Sequence, residues 1–305
     1  MKLYIVGKVP PPIGGVTIHI SRLLNNLKDH NIFCGFIDYK NIWNYRYFFM
    51  IGGVYHIHLS NKWMRLFFVF VLKFLLKRVI VTFHGKYDFS HKADLLALQL
   101  CDEAILLNNF TYNAAKNVKD KGIHLIGAFI PPKELNPLKP ALDLMIEKLK
   151  KDVDILCCLN ASVYAEDESG CDIYMGAEVI DFFNKNRNIG LIFSDPSGMY
   201  SERFVATKPD NVIFIVESHD FVSVLLKSDV FIRATRKDGD SISVKEALYF
   251  NKKVIATGCV DRPMGVLIIN DINEIGEKIN EKHFSIKPVD NFEQILGVYK
   301  KYILS

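Results

Sequence analysis

Short apolar runs rich in β-branched residues alternate with stretches of three- and four-residue periodicity along the chain. Residues 3–7, 32–37, 54–59, 79–83, 103–107 and 124–126 read as strands. Between them, residues 17–27 place Ile20, Leu23, Leu24 and Leu27 on one helical face, and residues 64–76, 95–100 and 112–119 read as further helices. Pro131, Pro132, Pro137 and Pro140 then crowd into ten residues, a density that marks a linker. The alternation restarts with strand 154–159. It continues through a helix around 175–184, strands 190–194 and 212–216, helix 221–227, strand 229–234, helix 243–250 and strand 253–256. Strand 266–269 and helices 274–280 and 292–302 close the chain.

Such alternation predicts parallel sheets covered by helices on both faces. The expected fold class is α/β, two tandem Rossmann-like doubly wound domains. Ligands of such domains bind at the carboxyl ends of the strands, and here also in a cleft between the domains.

The bulk composition narrows the function classes. With 305 residues, half of them hydrophobic and a quarter charged, the chain can fill two cores. A net charge of +4 is too mild for a nucleic-acid binder. Cys34, Cys101, Cys157, Cys158, Cys171 and Cys259 form no C-x-x-C pair and no zinc spacing, so they read as thiols of a reducing cytosol. The first strand, ending at Gly7, is too short for a signal-peptide core, and a cytoplasmic location is expected.

The segment from Asp229 to Thr257 concentrates the chemistry. A strand ends near Ala234, a polar loop runs to Ser241, and a helix begins near Ser241–Ser243. A helix start offers unpaired N–H groups and the positive end of the dipole to a phosphate. Asp238 in the loop and Glu246 in the helix could bind sugar or ribose hydroxyls. Ser243-x-x-Glu246 can also be read as a capping box, with Glu246 bonded back to its own helix. Near the N-terminus, Gly14-Gly15-Val16 joins the first strand to the first helix. Glycines there suit either a plain turn or close backbone approach to a phosphate. His84 follows the strand 79–83, and Asn108-Asn109 follow the next one.

Together these segments resemble the retaining GT-B glycosyltransferases of the glycosyltransferase family 4 type. The likeness spans nearly the whole chain. Two acidic residues separated by seven others match Asp238 and Glu246. The resemblance implies an N-terminal acceptor-side domain (1–132), a C-terminal nucleotide-sugar domain (133–290) and a last helix (291–305) returning to the N-terminal domain. It implies that Glu246 binds the nucleotide ribose, and that Ser241, Ile242, Ser243, Gly14 and Gly15 meet the donor diphosphate. His84 and Asp238 would line the reacting sugar as the catalytic pair, with Asn108-Asn109 on the acceptor side. No metal and no cofactor is implied beyond the nucleoside-diphosphate sugar itself. The acceptor would be a glycan or a polyprenyl-linked glycan, in surface polysaccharide synthesis.

Two departures stand out. Position 238 is Asp where the family has Glu. The loop 160–172, where the family places basic residues against the phosphates, contains neither Arg nor Lys. Phosphate charge must then be met by Arg233, Arg236 or Lys237, and Arg233, inside its strand, is the favoured one. The alternative among enzymes is a GT-B sugar-nucleotide epimerase, and the alternative from another class is a catalytically silent GT-B subunit serving a partner enzyme.

The stretch 62–78 is apolar nearly all round and too short and interrupted to span a bilayer. With Trp63 and the basic residues Lys62, Arg65, Lys73, Lys77 and Arg78, it suits the surface of an anionic membrane, on the inner face, or else a plain core helix.

Overall fold

The computed structural model describes residues 2–41, 44, 46, 52–284 and 286–303. The chain divides into two compact units, Met1–Ile130 with Val289–Ser305, and Pro131–Pro288.

The first unit holds strands β1 (Leu3–Gly7), β2 (Cys34–Asp38), β3 (Val54–Ile57), β4 (Arg78–Phe83), β5 (Glu103–Leu106) and β6 (Ile123–Leu125). Helices α1 (Gly15–Asp29), α2 (Lys62–Phe74), α3 (Lys92–Leu100) and α4 (Asn109–Lys116) lie between them. All strand pairs are parallel, in the order β2-β1-β3-β4-β5-β6. The order reverses between β1 and β3, which makes that edge the topological switch point. Burial on both faces explains the unbroken apolar run of β1, while the wholly buried β3 and β5 each carry one polar residue, His56 and Glu103.

The second unit begins with α5 (Pro140–Asp152), followed by β7 (Ile155–Asn160), α6 (Gly176–Lys185), β8 (Ile189–Ser194), α7 (Met199–Phe204) and β9 (Val212–Ile215). Then come α8 (Phe221–Lys227), β10 (Val230–Arg233), α9 (Ile242–Tyr249), β11 (Lys253–Thr257), β12 (Val266–Ile269) and α10 (Ile275–Asn280). This sheet is also all parallel, ordered β12-β11-β10-β7-β8-β9, with its switch point between β7 and β10. One core packs on each face of the sheet, around Phe183, Phe193 and Tyr200 on one side and Phe231, Leu248 and Ile146 on the other.

The last helix, α11 (Phe292–Ile303), belongs to the first unit. Asn291 Nδ2 donates to the Phe129 carbonyl at 2.9 Å, and Tyr299 is fully buried. Lys301 and Tyr302 bond Glu103 of β5 at 3.1 and 2.7 Å.

Two helices go beyond the sequence expectation. Helix α5 starts at Pro140, the proline filling the first helical turn, where its missing N–H costs nothing. Only Ile146 and Leu149 of α5 are buried, so its apolar stripe is thin against six charged residues and leaves no helical period in the sequence. Helix α7 is six residues long and leaves no readable period. Among the described residues, no helix is long and apolar enough to cross a membrane.

Candidate functional site

The carboxyl ends of β7 and β10 meet at the switch point of the second sheet. Asn160 ends β7 and Arg233 ends β10, and Arg233 donates to the Asn160 carbonyl at 3.2 Å. The Arg233 guanidinium also lies over the Tyr174 ring, 5.1 Å from its centroid. Five residues on, Asp238 accepts from Arg233 through both oxygens, at 3.1 and 3.2 Å. Arg262, in the loop after β11, reaches Oδ2 of the same carboxylate at 2.8 Å. It also donates to the Thr257 carbonyl at 3.0 Å. All three side chains are nearly buried.

Two guanidinium groups thus share one carboxylate, and the cluster carries a net positive charge. Burial pushes the Asp238 carboxyl up, but Arg233 and Arg262 outweigh it and hold its pKa at about 2. Arg233 is pushed above its ordinary value, burial being overcome by Asp238. Asp238, expected to face the donor sugar, is therefore engaged on both oxygens by arginines.

Arg262 was not among the sequence candidates. Its signal was available: it follows β11, the neighbour of β10, on the strand-end side where ligands of such sheets bind. Arg236 and Lys237 turn toward the acidic loop instead. Arg236 pairs with Glu178 at 2.6 Å and donates to the Asp172 carbonyl at 3.2 Å, while Lys237 pairs with Glu168 at 3.3 Å. The bases missing from loop 160–172 are folded onto it from the loop after β10.

That loop is pinned at both ends. The Thr257 hydroxyl donates to the Thr235 carbonyl at 2.5 Å, and the Thr235 hydroxyl to that of Lys237 at 2.7 Å. Ser241 then caps α9, its Oγ accepting from Val244 N at 3.4 Å and lying 3.1 Å from Ser243 Oγ. With Ser241 as the N-cap, Glu246 is the fifth helical residue and is buried. A capping box needs its acid at the third helical residue, which here is Val244. The capping-box reading of Ser243 and Glu246 does not apply. One more polar atom marks this edge: Asn160 Oδ1 is buried and has no hydrogen-bond partner among the described residues.

In the first unit, Gly14 is the N-cap of α1 and provides no side-chain cap. Its φ of −173° is extended backbone that any residue adopts. A Cβ at Gly14 or Gly15 would meet nothing within 4 Å. Neither turn geometry nor packing within the chain requires these glycines, and the space beside the helix start is open.

His84 sits at the end of β4 and is only partly buried. It is the outer member of a four-histidine cluster. Its Nε2 is 2.9 Å from His58 Nδ1, His58 Nε2 is 3.2 Å from His56 Nδ1, and His56 contacts Tyr299 and Thr82. The ring of His19, on α1, lies 5.2 Å from that of His58 and 5.5 Å from that of His84. His19 Nδ1 donates to the Ala128 carbonyl at 2.7 Å. Burial, then the neighbouring histidines, push His56, His58 and His84 well below the ordinary imidazole range, with Arg65 adding to the shift at His84. Among the described residues no group of side chains has the makings of a metal site. Asn108 caps α4, accepting from Thr111 N at 2.9 Å, and donates to the Gly85 carbonyl at 2.9 Å, so its amide holds the His84–Gly85 turn.

No protein-family model and no curated protein sequence matches this chain. Solved structures do. One is HepE of Anabaena in complex with UDP and glucose, with a TM-score of 0.63 at 11% identity over 92% of this chain and 89% of that one. Another is the trehalose-6-phosphate structure from E. coli bound with UDP-2-fluoro glucose, 0.63 at 12% identity over 100% and 96%. A third is the lipopolysaccharide outer core galactosyltransferase WaaB, 0.56 at 12% identity over 99% and 95%. At such identities the likeness carries the fold, which is that of the two-domain GT-B glycosyltransferases.

Proposed function

We propose that the protein is a retaining glycosyltransferase that moves a sugar from a nucleoside diphosphate to a hydroxyl of a glycan or lipid-linked glycan. The observation that carries this reading is the buried Arg233–Asp238–Arg262 cluster beside the N-terminus of α9. Two positive charges against one negative, next to the free N–H groups of a helix start, suit a diphosphate that must leave with its charge stabilised. Asp238 positions the arginines, and Glu246 holds the ribose hydroxyls. Ser241, Ile242 and Ser243 contribute first-turn backbone, and the unpartnered Asn160 Oδ1 can accept from a ligand hydroxyl. In the first unit, Gly14 and Gly15 leave room for a phosphate-bearing ligand, and His84 faces the reacting sugar. The solved structures of similar fold that contain UDP or a UDP-sugar favour a uridine donor.

The test is Glu246→Ala, with donor affinity read by calorimetry. A hydrogen bond to a charged group contributes about 1.5–3 kcal/mol, so affinity for the nucleotide sugar is expected to fall roughly 10- to 150-fold. Unchanged affinity with reduced stability would make Glu246 a structural residue. Release of the sugar from UDP-sugars, with and without acceptor, separates transfer from epimerisation, and donor binding without any turnover would indicate the silent subunit.

We also propose that α2 docks on an anionic bilayer, carrying the site to a lipid-linked acceptor. The structure changes which residues would do this. Arg65 and Lys77 are buried, and Lys73 and Arg78 bond Asp102 at 2.9 and 3.0 Å, so the basic residues named from the sequence are mostly committed elsewhere. The aromatic residues are not. Trp63, Phe67, Phe70 and Phe74, at helical spacing, are 60, 56, 61 and 79% exposed, which leaves one stripe of large rings uncovered. Leu96 and Leu100 are also exposed on α3, and the exposed Lys92 and Lys86 supply positive charge on the same unit. Apolar insertion, more than charge, should then drive binding. Vesicles containing anionic phospholipid are expected to sediment the protein even at high salt, and Phe67→Ser with Phe70→Ser to release it. Sedimentation indifferent to that pair would return α2 to a plain surface helix.

A further inference from the structure

The loop that leads into α9 holds a second ion pair, between Asp240 and Lys245. Lys245 is the fourth residue of the helix, and its ammonium lies 2.5 and 2.6 Å from the two carboxylate oxygens of Asp240. Both side chains are largely buried. We propose that Lys245 is a further ligand of the donor diphosphate, and that Asp240 occupies its ammonium until the diphosphate displaces it. This role of Lys245 rests on the transferase reading, because the displacing anion is the donor's own diphosphate.

Asp240 stands directly before Ser241, the N-cap of α9, and two residues after Asp238. The Cα atoms of Asp238 and Asp240 are therefore no more than about 7 Å apart. Side chains of a helix lean toward its N-terminus, and Lys245 does so, reaching back to a residue outside the helix. Its ammonium is brought to the end of α9 where a helix leaves its first N–H groups without internal partners. That is the wrong end of the dipole for a cation. An ammonium held there needs an anion, and in the free protein Asp240 supplies it. An ion pair withdrawn from water seldom adds net stability, because desolvating both charges offsets their attraction. A lysine that served only the fold would gain little from this position.

The charge at the site calls for one more cation. Arg233 and Arg262 carry two positive charges and Asp238 one negative, so the cluster offers a net charge of +1. A sugar-bound diphosphate carries a negative charge on each phosphate, and it gains another as the sugar departs. Loop 160–172 contains neither Arg nor Lys, and Arg236 and Lys237 are turned to Glu178 and Glu168. Of the basic residues that follow β10 and precede the end of α9, that leaves Lys245.

Calorimetric titration with UDP, inorganic pyrophosphate and uridine tests this on four proteins: native, Lys245→Met, Asp240→Asn and the double variant. Lys245→Met is expected to weaken UDP and pyrophosphate about tenfold or more, as loss of a hydrogen bond to a charged group does, and to leave uridine unchanged. Asp240→Asn is expected to tighten both anions. Removing a negative charge does that at long range in either background, so the gain is compared with and without the lysine. With Lys245 present it is expected to be at least about threefold larger than with Met. Equal gains in the two backgrounds would overturn the proposal. So would UDP affinity unchanged in Lys245→Met, or a loss shared equally by uridine. If Asp240→Asn does not fold, Lys245→Met decides alone. UDP binding that ignores Lys245 but depends on Glu246 would leave the transferase reading standing without this role. Pyrophosphate held through Lys245, with no nucleotide sugar bound, would keep the anion site and remove the transferase reading. A native protein that takes up neither anion would overturn both.

Discussion

Exchanging Asp238 for asparagine is expected to lower folding stability by about 3–5 kcal/mol and, at the same time, to enlarge the stabilisation that UDP confers. In the native protein, Asp238 takes hydrogen bonds from two nearly buried arginines. Asparagine keeps the shape and removes the charge, so Arg233 and Arg262 face each other uncompensated. The same change raises the net charge of the cluster, which favours a bound diphosphate. Each tenfold gain in affinity adds about 1.4 kcal/mol to the stabilisation at saturating ligand. Urea unfolding with and without UDP measures both effects. Acid gives a second reading. The carboxyl pKa is depressed to about 2, so its contribution is present above the unfolded aspartate value of about 3.9 and is lost as pH falls through about 2. The asparagine variant should lack that part of the acid slope. A variant that stays stable, yet loses turnover with UDP affinity intact, would return Asp238 to the sugar-facing role implied by resemblance.

The fold was legible because strands buried on both faces leave near-continuous apolar runs, and both sheets have them. Helix α5 was not, since only two of its thirteen residues are buried. Within the candidate site, the loop before α9 announced itself by spacing, and Asp238, Glu246 and Arg233 all fall at or near the strand ends of the second sheet. What spacing could not convey is pairing. Arg262 reaches Asp238 from twenty-four residues away, so that one carboxylate anchors two arginines. The histidines were half visible: His56 and His58 are two apart on one strand and its extension, which sets them on the same face. Their connection to Tyr299 spans 243 residues and has no local signature.

Replacing Asp94 with alanine is expected to cost the first unit about 3–5 kcal/mol. The reason lies in Arg65, which the sequence presents as a charge interrupting an apolar helix. In the structure its side chain is wholly buried. It donates to the Leu59 carbonyl at 2.7 Å and to the Tyr87 hydroxyl at 3.3 Å, and it pairs with Asp94 on α3. Its guanidinium lies 4.9 and 5.0 Å from the ring centroids of Phe83 and Tyr87. Without Asp94 the cation stays buried with no counter-charge from α3, and chemical denaturation read by circular dichroism should register the loss. Arg65→Met combined with Asp94→Leu removes both charges at similar volume and is expected to recover most of it. The paired variant also reports on the site. Arg65 is one of the charges that hold His84 below the ordinary imidazole range, after burial, His19 and His56. In the apolar double variant that repulsion is gone, and an NMR titration should find the His84 pKa raised relative to the native protein. A recovered fold with His84 unmoved would mean that Arg65 serves packing alone.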